Sequence, residues 1–244
     1  MKKIKILILV IFLLILCFCV HGILGIFKES DEAESLKENL TEIIDIPDVQ
    51  SEESKFTINF DELRKINSDV VGWIVIEGTQ VNYPIVQGNN NSYYLNHSFD
   101  RKWSSYGSIF MDYKSSKDFS DYNTFIYGHN TKNGTMFGEL YKYMDVNFYS
   151  EHPSFYLYTQ NGNYVIKLFS AYVDDTESDS YNQSFSSLEE YKNYLNIISS
   201  KSKYKTGIEV DYNSDKIITL YSCSHEINRK KSDRYFIHGI IKKL

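Results

Sequence analysis

The sequence predicts a mainly β fold, a closed or nearly closed barrel to which helices are added. Short runs of β-branched and aromatic residues recur between turn residues over 55–244, and the whole chain holds 21 Tyr and 15 Phe. The pair Asn161-Gly162 separates two such runs, 154–159 and 164–173, which is a hairpin signal. Helical periodicity is confined to a few stretches. Many short strands with inserted helices fit a barrel.

Residues 1–5 carry three lysines and are read as a cytoplasmic N-terminus. Residues 6–27 are apolar apart from His21 and two glycines. A run of 22 residues is long enough for a helix through a hydrocarbon core of roughly 30 Å. A cleaved signal peptide has a shorter apolar region, about 7–15 residues, and ends at a small-x-small site. His21-Gly22-Ile23-Leu24-Gly25 is a poor site of that kind. The segment is therefore read as a single-pass signal anchor, with its lysine-flanked end inside and the rest of the chain outside. Residues 28–54 are read as an acidic stalk. Ten acidic side chains and one lysine fall within 29–54, and Leu36, Leu40 and Ile43 recur at helical spacing. A net charge of −6 gives no reason to expect a nucleic-acid partner.

Residues 55–244 form one domain, long enough for a single core that buries roughly 70% of the unfolded surface. Asn59 is placed to cap a helix through Asn67, with Phe60, Leu63 and Ile66 on one face. Strands are expected at 71–76 and 81–86. Pro84 marks the second as an edge or irregular strand. Further strands are expected at 108–111, 124–127, 154–159, 164–173, 217–223 and 235–241. A helix over 136–143 carries Phe137, Leu140 and Tyr141. Another runs from Ser187 to Ser199, with Ser186–Glu189 or Ser187–Glu190 as a capping box and Leu188, Tyr191, Leu195 and Ile198 on one face.

Cys223 is the only cysteine beyond position 19, so the domain has one thiol and no internal disulfide. On the oxidising side of a membrane such a thiol is either buried and inert or used as a nucleophile. The thiolate is the reactive form, and at an unperturbed pKa near 8.5 only about 3% is thiolate at pH 7, so a nucleophile needs a base or cation nearby. His129 follows an apolar strand that ends at Gly128, which lets the chain turn and present the next side chain at the strand edge. His225, two residues after Cys223, is the competing partner. His97, His152 and His238 sit among polar or turn residues. Arg234 opens the last strand, where it can stabilise a thiolate and an oxyanion; the alternative is a salt bridge to Asp233.

Three motifs in order, YGHN (127–130), TLYSC (219–223) and SDRYFIHG (232–239), resemble those of sortases, the membrane-anchored cysteine transpeptidases of Gram-positive bacteria. NSDVVGWIVIEGTQVNYPIVQGNNNSYYL (67–95) and GSIFMD (107–112) look like class B members. The resemblance, from about residue 60 onward, implies an eight-stranded β-barrel with N-terminal helices and a helix between strands six and seven. It implies His129, Cys223 and Arg234 as catalytic residues, with Asn91, Leu95 and Ser222 on the substrate groove. Ser222 stands where the family usually has Thr, and Tyr221 is expected to narrow the groove. The implied partners are surface proteins with a C-terminal sorting signal, often of the Asn-Pro-x-Thr type in class B, and a peptidoglycan precursor or cross-bridge amine. No metal and no cofactor are expected. The alternatives are a non-catalytic surface receptor with a buried Cys223, and a hydrolytic cysteine peptidase.

Overall fold

A computed structural model of the chain describes residues 2–42, 44–45, 57–223 and 232–244. The chain forms two units, Met1–Glu42 and Ile43–Leu244. The first is one helix, α1 (Lys2–Glu42), long and apolar enough to cross a membrane by length and composition. It does not stop at residue 27. The stretch expected as a stalk is helical to Glu42, which takes in Leu36 and Leu40. Ile43 and the rest of the expected stalk over 46–54 lie outside the described residues.

The second unit opens with a short antiparallel pair, β1 (Ile44–Asp45) and β2 (Thr57–Ile58). Then comes α2 (Phe60–Ile66), capped as its sequence requires: Glu62 N donates to Asn59 Oδ1 at 3.2 Å. Phe60 and Leu63 are buried, but Ile66 is 41% exposed. The helix is only two turns long and rolls its last residue away from the barrel.

Eight strands of the described residues close the barrel: β3 (Val70–Val75), β4 (Asn82–Val86), β5 (Ile109–Met111), β6 (Asn123–Tyr127), β7 (Ser154–Thr159), β8 (Gly162–Asp175), β9 (Ile217–Cys223) and β10 (Asp233–Lys243). Their order is β10-β8-β7-β3-β4-β5-β6-β9, closing back on β10. Neighbours are antiparallel except β4–β5 and β6–β9. α4 (Leu188–Ser200) lies between the sixth and seventh barrel strands, β8 and β9.

Alternation along the strands decides what faces inward. Ile126, Ile218, Leu220, Tyr235, Ile237, Ile166 and Leu168 fill the barrel with Ile74, Ile85 and Leu157. Each such side chain contributes about 1.5–3 kcal/mol by leaving water. The alternate residues form a second, aromatic layer on the outer face. Tyr221 meets Phe125 at 6.2 Å, Tyr127 at 5.4 Å and Phe236 at 5.1 Å. The segment before α4 packs on that layer, with Tyr181 4.9 Å from Phe125.

Several elements depart from expectation. β4 has a partner on each side, but the ladder to β5 joins only Ile85 and Val86, so Pro84 is laddered to Trp73 of β3 alone and its missing N–H interrupts no bond to β5. The irregularity lies in the ladder to β3, where the register shifts between Val70 and Gly72, opposite Val86 and Ile85. The β7–β8 hairpin turns on Gln160-Asn161, because Thr159 already pairs with Gly162, and Gly162 takes φ +148. In place of a helix over 136–143 there is a 3₁₀ turn at Leu140–Met144, followed by α3 (Val146–Glu151), whose Asp145 cap was not foreseen. The tighter period buries Tyr143 and leaves Tyr141 52% exposed. On α4, Ser187 is the cap, with Glu190 reaching back to the Ser186 N–H. Tyr194 is buried there and Leu188 is 38% exposed. His238 belongs to neither a polar run nor a turn: it is fully buried within β10.

Candidate active site

Strand register sets the site. β9 and β10 pair with Cys223 opposite Arg234, and β6 and β9 pair with Tyr127 beside Tyr221. His129 lies two residues beyond Tyr127, and Cys223 two beyond Tyr221. Three positions far apart in sequence thus come to neighbouring strand ends at one rim of the barrel. Cys223 closes β9; its side chain lies outside what is described.

Two hydrogen bonds tie the ends of β6 and β9. Gly128 N donates to Tyr221 O at 3.3 Å, and Ser222 Oγ donates to Gly128 O at 2.7 Å. The Ser222 hydroxyl hydrogen is therefore committed to the residue before His129. Gly128 is required by close approach rather than by turning: a Cβ there would meet Ile109 Cδ1 at 2.5 Å and Phe137 at 2.7 Å. The His129 carbonyl accepts from Phe137 N at 2.9 Å, which anchors the loop after β6. Its ring Nε2 lies 2.6 Å from Leu95 O, which only accepts, so that nitrogen carries the proton and Nδ1 is left to exchange one. Arg234 is half-buried. Its Nη1 donates to Asp233 O at 2.9 Å, and its guanidinium lies 5.9 Å from the Tyr221 ring centre.

These residues line a groove of about 310 Å³. His129, Arg234, Ser222, Asn91 and Leu95 all lie on it, as do Tyr127, Tyr181, Tyr221, Phe110 and Thr176. A larger hollow of about 930 Å³ opens by Asn130, Thr131 and Lys132, but His129, Ser222 and Arg234 are not on it. The expected competitor His225 lies outside the described residues.

Beneath the groove is a buried carboxylate that sequence reasoning did not single out. Asp112, 2% exposed, follows β5. Its Oδ2 accepts from Asn91 Nδ2 at 2.6 Å, Tyr127 OH at 2.7 Å and Gln183 Nε2 at 2.7 Å, and its Oδ1 accepts from Lys114 N at 2.9 Å. Burial alone would raise its pKa, but these four donors outweigh burial and hold the carboxyl below its usual range. Burial, with the neighbouring phenol and carboxylate, pushes Tyr127 far up, so it stays protonated. Its signals in the sequence are an acidic residue directly after an apolar strand run, Ile109-Phe110-Met111-Asp112, and its place at the end of the class B-like stretch GSIFMD.

Residues 74–241 match the sortase domain family. The chain is 38% identical to Sortase B of Listeria monocytogenes over 178 residues, 73% of this chain and 72% of that one. It is 34% identical to Sortase B of Staphylococcus aureus over 183 residues, 75% of each. Among solved structures, the S. aureus sortase B–substrate complex superposes with TM-score 0.76 at 30% identity, covering 89% of this chain and 97% of that one. Sortase B of B. anthracis in complex with AAEK1 superposes with TM-score 0.77 at 33% identity, covering 89% of this chain and all of the other.

Proposed function

The chain belongs to the sortase family, the cysteine transpeptidases, and on that premise we propose that Cys223, His129 and Arg234 carry its reaction in the groove at the β6–β9–β10 rim. The observation that supports this assignment is the register: Cys223 opposite Arg234, and each of Cys223 and His129 two residues past a paired tyrosine.

The reaction is cleavage of a sorting motif followed by acyl transfer. Cys223 Sγ attacks the carbonyl carbon of the motif's threonine, and the peptide oxygen takes the negative charge. Arg234 supplies a fixed cation for that charge or for the substrate backbone. The C–N bond breaks as His129 gives a proton to the departing amine, which leaves a thioester on Cys223. An acceptor amine then attacks the thioester carbon and yields its proton to His129. A new amide forms and the thiolate is restored. Asn91, Leu95 and Ser222 are assigned to the substrate wall, with Ser222 acting through its bond to Gly128. The acceptor is assigned as a peptidoglycan amine, and the acyl donor as a surface protein bearing a C-terminal sorting signal.

α1 is assigned as the membrane anchor over residues 6–27, with residues 1–5 inside the cell, the helix running on through Glu42, and the catalytic domain at 55–244 outside. Protease shaving of intact cells is expected to remove the domain and leave a membrane-bound N-terminal fragment; protection of the domain overturns this topology.

The functional test uses the detergent-solubilised full chain with a peptide library, with and without a diaminopimelate-like amine, read by mass spectrometry. The expected products are a thioester-linked enzyme adduct at Cys223 and an amine-joined peptide. Hydrolysed peptide alone, even with amine present, favours the peptidase reading. Cys223→Ala is expected to abolish both products with little change in melting temperature, whereas a large stability loss with activity retained sinks the nucleophile assignment.

A further inference from the structure

Four segments meet at the Asp112 carboxylate: the loop after β4 through Asn91, the end of β5, β6 through Tyr127, and the β8–α4 connection through Gln183. Three of its donors converge on Oδ2 and the fourth, the Lys114 N–H, takes Oδ1. An ionised carboxylate only accepts, and that fixes proton order in what adjoins it. The Tyr127 phenol has one hydrogen, given to Asp112, so its lone pairs receive Gln183 Nε2 at 2.9 Å and Tyr181 OH at 2.6 Å. The Tyr181 hydrogen is thereby committed to Tyr127. Tyr181 is 40% exposed on the groove wall, and what its oxygen has left to offer a ligand is lone pairs.

We propose that Asp112 is a positioning residue for the peptide substrate: through Tyr127 it turns the Tyr181 phenol into a hydrogen-bond acceptor, so this wall selects a peptide N–H donor. The inference rests on the functional reading above, because it needs a peptide in the groove. It assigns Asp112 no contact with the reacting atoms. Without the carboxylate, Tyr127 turns its hydrogen elsewhere, Tyr181 is released to donate, and the wall loses its preference. Asn91, whose Oδ1 accepts from Tyr113 N at 3.0 Å while its Nδ2 bonds Asp112, loses its fixed orientation at the same time.

Asp112→Asn is the direct test, since an amide has one acceptor oxygen and cannot receive four donors. Tyr127→Phe cuts the same chain one link later and keeps the question open to refutation if Asp112→Asn folds poorly. The probe is a fluorogenic peptide carrying an Asn-Pro-x-Thr motif, followed by turnover in the full chain and by calorimetric Kd on a Cys223→Ala background. Each variant is expected to raise KM and Kd about five- to tenfold, the worth of one lost hydrogen bond, with kcat within about twofold. The double variant is expected to be no worse than either single one, because both cut one chain. The alkylation rate of Cys223 without peptide is expected to stay unchanged. Unchanged KM and Kd in folded variants overturn the inference, as does a fall in kcat and alkylation rate that tracks loss of folded protein. Peptide that binds but is not turned over by the wild type defeats the functional reading alone, and Kd still decides this inference. A wild-type groove that does not bind peptide defeats both.

Discussion

β6, β9 and β10 carry two polar networks on their outer face, a few residues apart, and the two are opposites. At the rim, Tyr127 and Arg234 border a groove, and Tyr127 leans on a charged carboxylate. Deeper along the same strands, Asn123, Thr219 and His238 are fully buried, with Tyr194 of α4 among their partners. There the protons also have one order. Thr219 Oγ1 donates to Asn123 Oδ1 at 2.7 Å, so it must accept from His238 Nδ1 at 2.9 Å, and His238 Nε2 accepts from Tyr172 OH at 3.0 Å. Burial, helped by the charge of Lys201, pushes His238 down to about 3, so it is neutral. One network borders an open groove and the other is enclosed. The same strand ladder therefore yields an open rim and a stabilising seal, and the cover over each decides which.

That contrast breaks most visibly at the rim. His129→Ala is expected to lower kcat/KM by about 10²–10⁴ and Arg234→Lys by about 10²–10³, with melting temperature nearly constant. A matched pair of peptide-turnover and thermal-melt measurements checks this; a collapse in melting temperature instead makes the rim structural. In the sealed network, Thr219→Val should show the reverse. It leaves Asn123 Oδ1 and His238 Nδ1–H without their partner, at a cost of about 1–3 kcal/mol read by denaturant unfolding, while activity per folded molecule stays within about twofold.

The difference sharpens with pH. In the unfolded chain His238 titrates near its ordinary value of about 6.5. Below that pH the unfolded state binds a proton that the folded state, at about 3, does not. Stability should therefore fall as pH drops from about 6.5 toward 3, by about 1.4 kcal/mol per pH unit from this group, and be independent of it above that window. Urea melts across pH for wild type and His238→Asn test it; an identical slope in both removes His238 as the cause. The smallest effect is expected at the margin of the seal, where Lys201 Nζ meets Asp174 Oδ2 at 2.6 Å and Ser180 Oγ at 3.0 Å. Burial raises Asp174, but hydrogen bonds from Lys201 and Ser180 override it and hold the carboxyl at about 2. The pair is partly exposed, so Lys201→Met should cost less than about 1 kcal/mol by thermal melt.

Much of this was legible in the sequence where the signal is local. β7 and β9 begin and end where alternation and turn residues place them, and Asn59 caps the helix it precedes. Of the site residues that the resemblance implies, His129, Arg234, Asn91, Leu95 and Ser222 line one groove, and for Cys223 the strand position alone is described. What escaped depends on closure. Ile66, Tyr141 and Leu188 fit an apolar face on paper, yet which face is covered is set by elements far away in sequence. His238 sits in a run that reads as mixed polarity, and it is interior because Tyr172 of β8 and Thr219 of β9, distant in sequence, enclose it. Asp112 shows one acidic letter after a strand; three of its four donors come from other segments of the chain, and only the Lys114 N–H is local.

The β6–β9 pairing joins parallel strands, and its Ser222–Gly128 bond spans 94 residues. A growing or refolding chain carries its imidazole long before the thiol segment can be laid beside it, because so distant a ladder closes slowly. Until β9 pairs with β6 and β10, neither a truncated nor a half-folded molecule has the residue 223 and residue 129 strand ends side by side. On the proposed assignment, acylating power therefore requires that pairing, which keeps incomplete copies from reacting with whatever peptide lies near them.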